Sequence, residues 1–167
     1  MGDRSGHRGL LVYRLREDGL SRRIGETPGS WQRGLALKST SEVAELKLPS
    51  EPASVARARS FVRGVTAGRS TFITSELELL ASELATNAVM HAGTPFIVRV
   101  GCSDGTIRLE VEDANSTLPT RKRHGLKSPV GRGLLVVEQV ADRWGVRAES
   151  SGKVVWAELD DEEANCL

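Results

Sequence analysis

The spacing of apolar residues changes its period several times between residues 43 and 159, and this alternation constrains the fold most strongly. In three segments the apolar residues recur every three or four positions, which predicts amphipathic helices. Elsewhere apolar and polar residues alternate, as they do in half-buried strands. The predicted elements are a strand (43–48), two helices (55–65 and 75–91), two strands (96–102 and 107–111), a loop, a helix (134–141) and a final hairpin (146–159).

This order of elements predicts an α/β fold, a two-layer sandwich with helices on one face of a mixed, mostly antiparallel sheet. The 167 residues suffice for one domain with a core. A net charge of +1 gives no electrostatic preference for nucleic acid or membranes. No apolar run approaches the ~20 residues that span a bilayer. The two cysteines, Cys102 and Cys166, predict no disulfide framework. We expect a cytoplasmic protein without structural disulfides.

The folded domain is predicted to cover residues 42–160. Residues 1–41 are basic and rich in Gly and Ser, and they predict a flexible extension, although residues 10–13 and 35–37 suit short strands. Residues 161–167 are predicted to form a solvated acidic tail. Within the domain, Ser50 is expected to cap the first helix. Ser75 and Glu78 have the spacing of a capping box for the second helix, which should close at Gly93.

A row of polar residues lies along the second predicted helix. Glu83, Asn87 and His91 are spaced by four residues, so a regular helix places them on one face, beside an apolar stripe. A solvated helix edge and a binding row explain this pattern equally well. The residues downstream favour the binding row.

Asp113 is the second candidate, because strand parity places it on an apolar face. Apolar and charged residues alternate through residues 107–112, and a strand that continues by one residue directs Asp113 toward the core. A buried carboxylate is costly without a partner. The two explanations are a turn that begins at Asp113 and caps backbone amides, or an acceptor for the amine of a buried ligand.

The third candidate is the loop 114–133, which contains many Lys and Arg residues and no Asp or Glu. It ends in Gly131-Arg132-Gly133-Leu134 at the start of a predicted helix, where backbone amides and the helix dipole favour anions. Together with Asn87 as a hard oxygen ligand and Glu83 as a proton acceptor, these elements suit a magnesium nucleotide. The sequence contains neither the Walker-type Gly-x-x-x-x-Gly-Lys-Ser/Thr motif nor the dinucleotide-binding fingerprint.

The residues 83–91 resemble the N box of the GHKL (Bergerat-fold) ATP-binding superfamily, Val111-Glu112-Asp113 its first G box, and Gly131-Arg132-Gly133-Leu134 its second. Flanking residues, including Leu48-Pro49-Ser50 and Trp144-Gly145, are similar to those of bacterial anti-sigma factor serine kinases. The family's Asp-x-Gly is Asp113-Ala114-Asn115 here, and Asn tolerates unusual backbone angles better than most residues.

The resemblance implies ATP and Mg²⁺ as cofactors, a lid between Asp113 and Gly131, and a metal ligand at Asn87. It also implies Glu83 as the general base that phosphorylates a Ser or Thr of an antagonist protein. The expected nucleotide-binding residues are Asn87, His91, Asp113, Asn115, Arg121, Gly131, Arg132, Gly133 and Leu134.

The resemblance also implies partners: a STAS-like anti-sigma antagonist, a sigma factor and, since relatives commonly dimerise, a second copy of the chain in a homodimer. The leading hypothesis is therefore an anti-sigma-type serine/threonine protein kinase. The alternatives are a regulator that binds ATP and a partner without phosphoryl transfer, and an ATPase that couples hydrolysis to movement. Direct binding of nucleic acid is not expected, because no readout motif occurs.

Overall fold

The computed structural model describes residues 10–14, 21–24, 43–117 and 132–161. The strands are β1 (Leu10–Arg14), β2 (Ser21–Ile24), β3 (Val43–Leu48), β4 (Phe96–Ser103), β5 (Thr106–Asp113), β6 (Arg143–Glu149) and β7 (Gly152–Asp160). The helices are α1 (Pro52–Val65), α2 (Thr71–Asn87) and α3 (Arg132–Val140), and a π turn (Ala88–Ala92) extends α2.

The strands form one sheet in the order β2-β1-β6-β7-β5-β4-β3, and each pair of neighbours is antiparallel. The core lies between this sheet and the helices, where alternate residues of β5, such as Leu109 and Val111, meet Leu77, Leu80 and Leu84 of α2 in one buried cluster. The predicted fold class, a two-layer α/β sandwich with helices on one face, is confirmed.

We call the side of the sheet under the helices the helix face and the opposite side the outer face. On β5, Ile107, Leu109 and Val111 belong to the helix face, and the charged residues between them belong to the outer face. Among the described residues, no helix combines the length and apolar character that a membrane span needs.

The helix starts differ from the predicted ones. Helix α2 begins one turn earlier than expected, because the Ser70 hydroxyl accepts a hydrogen bond from the Ile73 amide at 3.2 Å. Ser75 therefore lies inside the helix, and the capping box predicted there is wrong. Ser50 does not cap α1 either. Its hydroxyl donates to the Val89 carbonyl at 3.4 Å, and Glu51 occupies the N-cap position.

Three other expectations are changed by tertiary structure. β1 and β2 join the sheet beside β6, so part of the predicted flexible extension belongs to the sheet. Asp161, placed in the solvated tail, is buried and accepts a hydrogen bond from Arg69 at 3.0 Å. Cys102 is disulfide-bonded, against the expectation of no structural disulfide. A cysteine count cannot show this, since it carries no information on which segments meet in space.

Candidate functional site

Glu83 and Asn87 meet the first turn of α3 at Gly133. A methyl group on Gly133 would lie 2.8 Å from Glu83 Oε2 and 3.4 Å from both side-chain polar atoms of Asn87. Glycine thus permits the closest approach of α3 to these two side chains. The structure brings an acid, an amide and a helix N-terminus together at Glu83, Asn87 and Gly133.

The polar row does not continue to His91 in the predicted way. The helix changes from α to π geometry at Ala88, so the interval from Asn87 to His91 is not the regular α-helical turn that the prediction assumed. The His91 side chain is exposed, and its backbone carbonyl accepts a hydrogen bond from Asn115 Nδ2 at 2.7 Å. His91 therefore contributes to the site through its carbonyl, which holds the segment after β5.

Asp113 ends β5 with its side chain on the helix face, as strand parity predicted. It is only 5% exposed. Its Oδ1 accepts hydrogen bonds from the Asn115 amide at 2.9 Å and from Lys153 Nζ at 2.8 Å. The carboxylate caps a turn, as one explanation for Asp113 proposed, and Lys153 is the partner that its burial requires. The other explanation, an acceptor for a ligand amine, stays a prediction. These bonds fix Oδ1 and leave Oδ2 as the atom that can face a ligand.

Lys153 is the site residue that sequence reasoning missed. It is the second residue of β7 and lies opposite Asp113 in the β5–β7 register. Its ammonium group also donates to the Asn115 carbonyl at 2.9 Å, so it joins β7 to the segment after β5. Strand parity is the signal that reveals it, because Val155 and Ala157 place Lys153 on the apolar face of β7.

Gly152 allows β7 to start directly against Asp113. A Cβ at this position would overlap the Asp113 carbonyl oxygen and lie 2.7 Å from Ala114 Cα. Any other residue would displace one of the two strands. Gly152 thus sets the distance at which Lys153 reaches the Asp113 carboxylate.

The remaining predicted site residues lie in or next to the loop before α3. Arg121 and Gly131 lie outside the described residues. Arg132 begins α3, and Leu134, in the same first turn, packs against the core. The described part of the site therefore has two halves: Glu83 and Asn87 at the start of α3, and the Asp113–Lys153 pair. The Asn115 bond to His91 joins the second half to the end of α2.

The residues of the candidate site suit a metal ion that binds together with a phosphate-bearing ligand. Within the described ranges, no three His, Cys, Asp or Glu side chains are grouped to hold a metal ion. Asn87 offers one amide oxygen, and Mg²⁺ commonly takes one or two protein ligands and completes its shell with phosphate oxygens and water. The close contact of α3 with Asn87 fits this arrangement, because an anion at the helix N-terminus would lie next to that oxygen.

Comparison with known proteins identifies the family. Residues 48–159 match the histidine kinase-like ATPase domain family, which covers most of the chain. The chain belongs to this family. The match includes both halves of the site, and the superfamily assignment made from the three sequence boxes is confirmed.

A solved structure supports the same fold. The chain is similar to the crystal structure of the RsbU and RsbW domains of Rv1364c from Mycobacterium tuberculosis, with a TM-score of 0.57 and 15% sequence identity. The similarity covers 85% of this chain and 34% of that one, so this family member spans about a third of the length of that protein. No curated protein matches the sequence.

Proposed function

We propose that this protein is an ATP-binding regulator that acts as an anti-sigma-type serine/threonine protein kinase. The observation that carries the proposal is the contact of Gly133 with Glu83 and Asn87. This contact places a carboxylate and an amide oxygen at a helix N-terminus. Binding and transfer of a phosphoryl group need such a combination of anion-binding amides, a metal ligand and a proton acceptor.

Each half of the site has a role in this proposal. Asp113 accepts a hydrogen bond from the adenine amino group, and Lys153 holds the carboxylate in place. Asn87 provides one oxygen ligand to Mg²⁺, which when bound neutralises phosphate charge. The amides at the start of α3 bind phosphate oxygens, together with Gly131, Arg132 and Arg121 of the preceding loop. Glu83 accepts the proton of the attacking Ser or Thr hydroxyl.

The proposed partner is a STAS-like anti-sigma antagonist that carries this hydroxyl, with a sigma factor as a second partner. The support is the family membership and the fold shared with the crystal structure of the RsbU and RsbW domains. A cytoplasmic location and a homodimer belong to the same proposal. The presence of an acid at position 83 favours catalysis over binding alone, since ATP binding requires Asn87 and Asp113 but not that carboxylate.

Calorimetric titration with ATP, with and without Mg²⁺, tests the nucleotide site. We expect Mg²⁺-dependent binding that Asn87→Ala weakens at least tenfold, because the variant removes the metal ligand. Thr86→Ala is the matched control, since Thr86 is the exposed neighbour of Asn87 on α2. If Asn87→Ala and the parent bind ATP equally, the proposed role of Asn87 is wrong.

Transfer of label from γ-labelled ATP to a purified STAS-like protein tests the reaction. Glu83→Gln should retain ATP affinity within about threefold and lose at least 100-fold in rate, within the ~10²–10⁴-fold contribution of a general base. Nucleotide binding without transfer by the parent protein would support the alternative, a partner-binding regulator without kinase activity.

A further inference from the structure

The ammonium group of Lys153 uses two of its three hydrogen-bond donors. One N–H is bonded to Asp113 Oδ1 at 2.8 Å and one to the Asn115 carbonyl at 2.9 Å. Within the described parts of the chain, no third acceptor bonds to Nζ, although the side chain is only 7% exposed. Because buried donors are normally paired, the third N–H of Lys153 is available to a ligand.

Asp113 offers the complementary atom on the carboxylate that Lys153 binds. Oδ1 accepts both from Lys153 and from the Asn115 amide. Oδ2 accepts from no described residue, yet it is not among the described polar side-chain atoms that are both unpaired and inaccessible. Oδ2 therefore keeps contact with solvent. The ion pair thus presents one free acceptor and one free donor next to each other.

The backbone around this pair holds both side chains in position. Lys153 lies opposite Asp113 in the β5–β7 register, and a Cβ on Gly152 would overlap the Asp113 carbonyl oxygen. The Asn115 side chain donates to the His91 carbonyl at 2.7 Å, which ties the segment that Lys153 binds to the end of α2. A donor and an acceptor that are already ordered lose little conformational freedom when a ligand binds. The pair is therefore preorganised for binding.

The order of acceptor and donor selects the chemical class of the ligand. Asp113 Oδ2 can accept from an amino group, and the Lys153 ammonium can donate to an unprotonated nitrogen beside that group. Adenine has this combination, an amine on C6 next to the acceptor N1. Guanine and hypoxanthine have the reverse combination, a carbonyl oxygen next to a protonated N1, so both contacts would be repulsive. Polar groups left unpaired in a buried site reject such a ligand strongly.

We propose that Lys153 contacts the adenine base directly, donating its third N–H to N1 while Asp113 accepts from the amine. This contact rests on the proposed function, to which it adds a second interaction with the base. N1 is the acceptor because the ribose, attached at N9, has to extend toward the phosphate half of the site at Glu83 and Asn87, and the edge opposite N9 carries the amine and N1. Lys153 is then a specificity-determining residue as well as the partner of a buried charge.

Calorimetric titration of the unaltered protein with ATP analogues in the presence of Mg²⁺ tests the contact. In 1-deaza-ATP a C–H group replaces N1, and this analogue should bind at least tenfold more weakly than ATP because a buried charged donor is left unpaired. The matched control is 7-deaza-ATP, which loses the other ring nitrogen that flanks the amine and should bind within about threefold of ATP. Equal affinity for 1-deaza-ATP and ATP would overturn the proposal, as would a larger loss with 7-deaza-ATP.

Lys153→Met assigns the effect to the side chain. Methionine cannot donate to N1, so this variant should bind ATP and 1-deaza-ATP with the same affinity. Lys47→Met, at an exposed position of β3, should keep the full difference between the two nucleotides. A tenfold difference that persists in folded Lys153→Met would contradict the assignment. If Lys153→Met does not fold, the two analogues on the unaltered protein decide alone.

The same titrations separate this contact from the proposed function. Absence of ATP binding by the unaltered protein, or equal binding of ATP and GTP, would overturn the adenine site together with its contact to Lys153. Mg²⁺-dependent binding of ATP that discriminates against GTP but not against 1-deaza-ATP would leave the proposed function intact and overturn only the role of Lys153.

Discussion

At the scale of single residues, the buried pair of Asp113 and Lys153 is the strongest constraint on the site. The Nζ–Oδ1 distance is 2.8 Å, and both side chains are almost inaccessible. Removing one partner of a buried ion pair leaves an uncompensated charge, which typically costs about 3–5 kcal/mol. We therefore expect Lys153→Met to lower the free energy of unfolding by about 3 kcal/mol, measured by urea denaturation.

The double variant Lys153→Met/Asp113→Asn should recover much of that loss, because it removes both charges. Lys47→Met is the control for the loss of a lysine, since Lys47 is exposed on β3. If Lys153→Met and Lys47→Met change the free energy of unfolding equally, the charge pair contributes nothing to stability.

Gly133 offers a way to separate the geometry of the site from its stability. Gly133→Ala places a methyl group against the carboxylate of Glu83, a flexible group that can move away. Alanine also favours a helix by up to about 1 kcal/mol over glycine. We expect the free energy of unfolding to change by less than ~1 kcal/mol. ATP affinity measured by calorimetry should fall about tenfold, because the close approach of α3 to Glu83 and Asn87 is lost.

Gly64→Ala is the matched control for this prediction. Gly64 lies within α1, and nothing approaches a Cβ built there within 4 Å. This variant should be as stable as the parent or more stable, with unchanged ATP affinity. Equal ATP affinity of Gly133→Ala and Gly64→Ala would show that the α3 contact has no part in nucleotide binding.

At the scale of elements, the outer face is held together by arginines that join neighbouring strands. Arg108 links β5 to β7 and is buried, whereas Arg99 links β4 to β3 and β5 near the surface. Arg108→Met should lower the free energy of unfolding by about 2 kcal/mol, the size of a hydrogen bond to a charged group, because it removes one of the two arginines paired with Glu158 and leaves Arg143 as the other. Arg99→Met should cost about 1 kcal/mol or less. Urea denaturation of both variants measures the contrast, and equal losses would contradict it.

The elements themselves could be predicted from the sequence, but their ends could not. Hydrophobic period identifies α2 and the β4–β5 hairpin, because one face of each meets the core. The start of α2 depends on which hydroxyl reaches a free amide, and both Ser70 and Ser75 have suitable neighbours. The change to π geometry at Ala88, in the turn that contains His91, has no counterpart in the apolar spacing.

The candidate site divides in the same way. Glu83, Asn87 and Asp113 follow from local spacing, because each lies at a fixed interval from apolar neighbours on its own element. Lys153 enters through the pairing of β5 with β7, and pairing is a property of two distant segments. The contact at Gly133 is also tertiary, so the sequence predicted a glycine near an anion site but not which side chains it would meet.

At the scale of the whole molecule, the sheet extends beyond the part that defines the family. The family match begins at residue 48, whereas β1, β2 and β3 all lie before or at that point. β1 pairs with β6 and so covers a strand that would otherwise be an edge. β1 and β2 therefore extend the sheet beyond the part that the family match covers.

Whole-molecule stability also depends on pH, and two glutamates of α2 contribute with opposite sign. Burial, and then the nearby charge of Asp142, raise the pKa of Glu76 above its ordinary value of 4.5. A hydrogen bond from Arg63 lowers the pKa of Glu78. Ionised Glu76 is thus unfavourable in the folded protein, whereas ionised Glu78 is favourable.

The sign of each effect follows from linkage. The contribution of Glu76 is complete below the unfolded pKa and is lost as the pH rises through the folded pKa. At pH 7, Glu76→Gln should therefore stabilise the protein, by roughly half a kcal/mol or less because the group is partly solvated.

Glu78→Gln should destabilise the protein at pH 7, since the Glu78 contribution is present above the unfolded pKa and is lost as the pH falls through the lowered folded pKa. Melting temperatures of both variants and the parent between pH 3 and 7 check this. Two variants that shift the melting temperature in the same direction at pH 7 would contradict the opposite environments of Glu76 and Glu78.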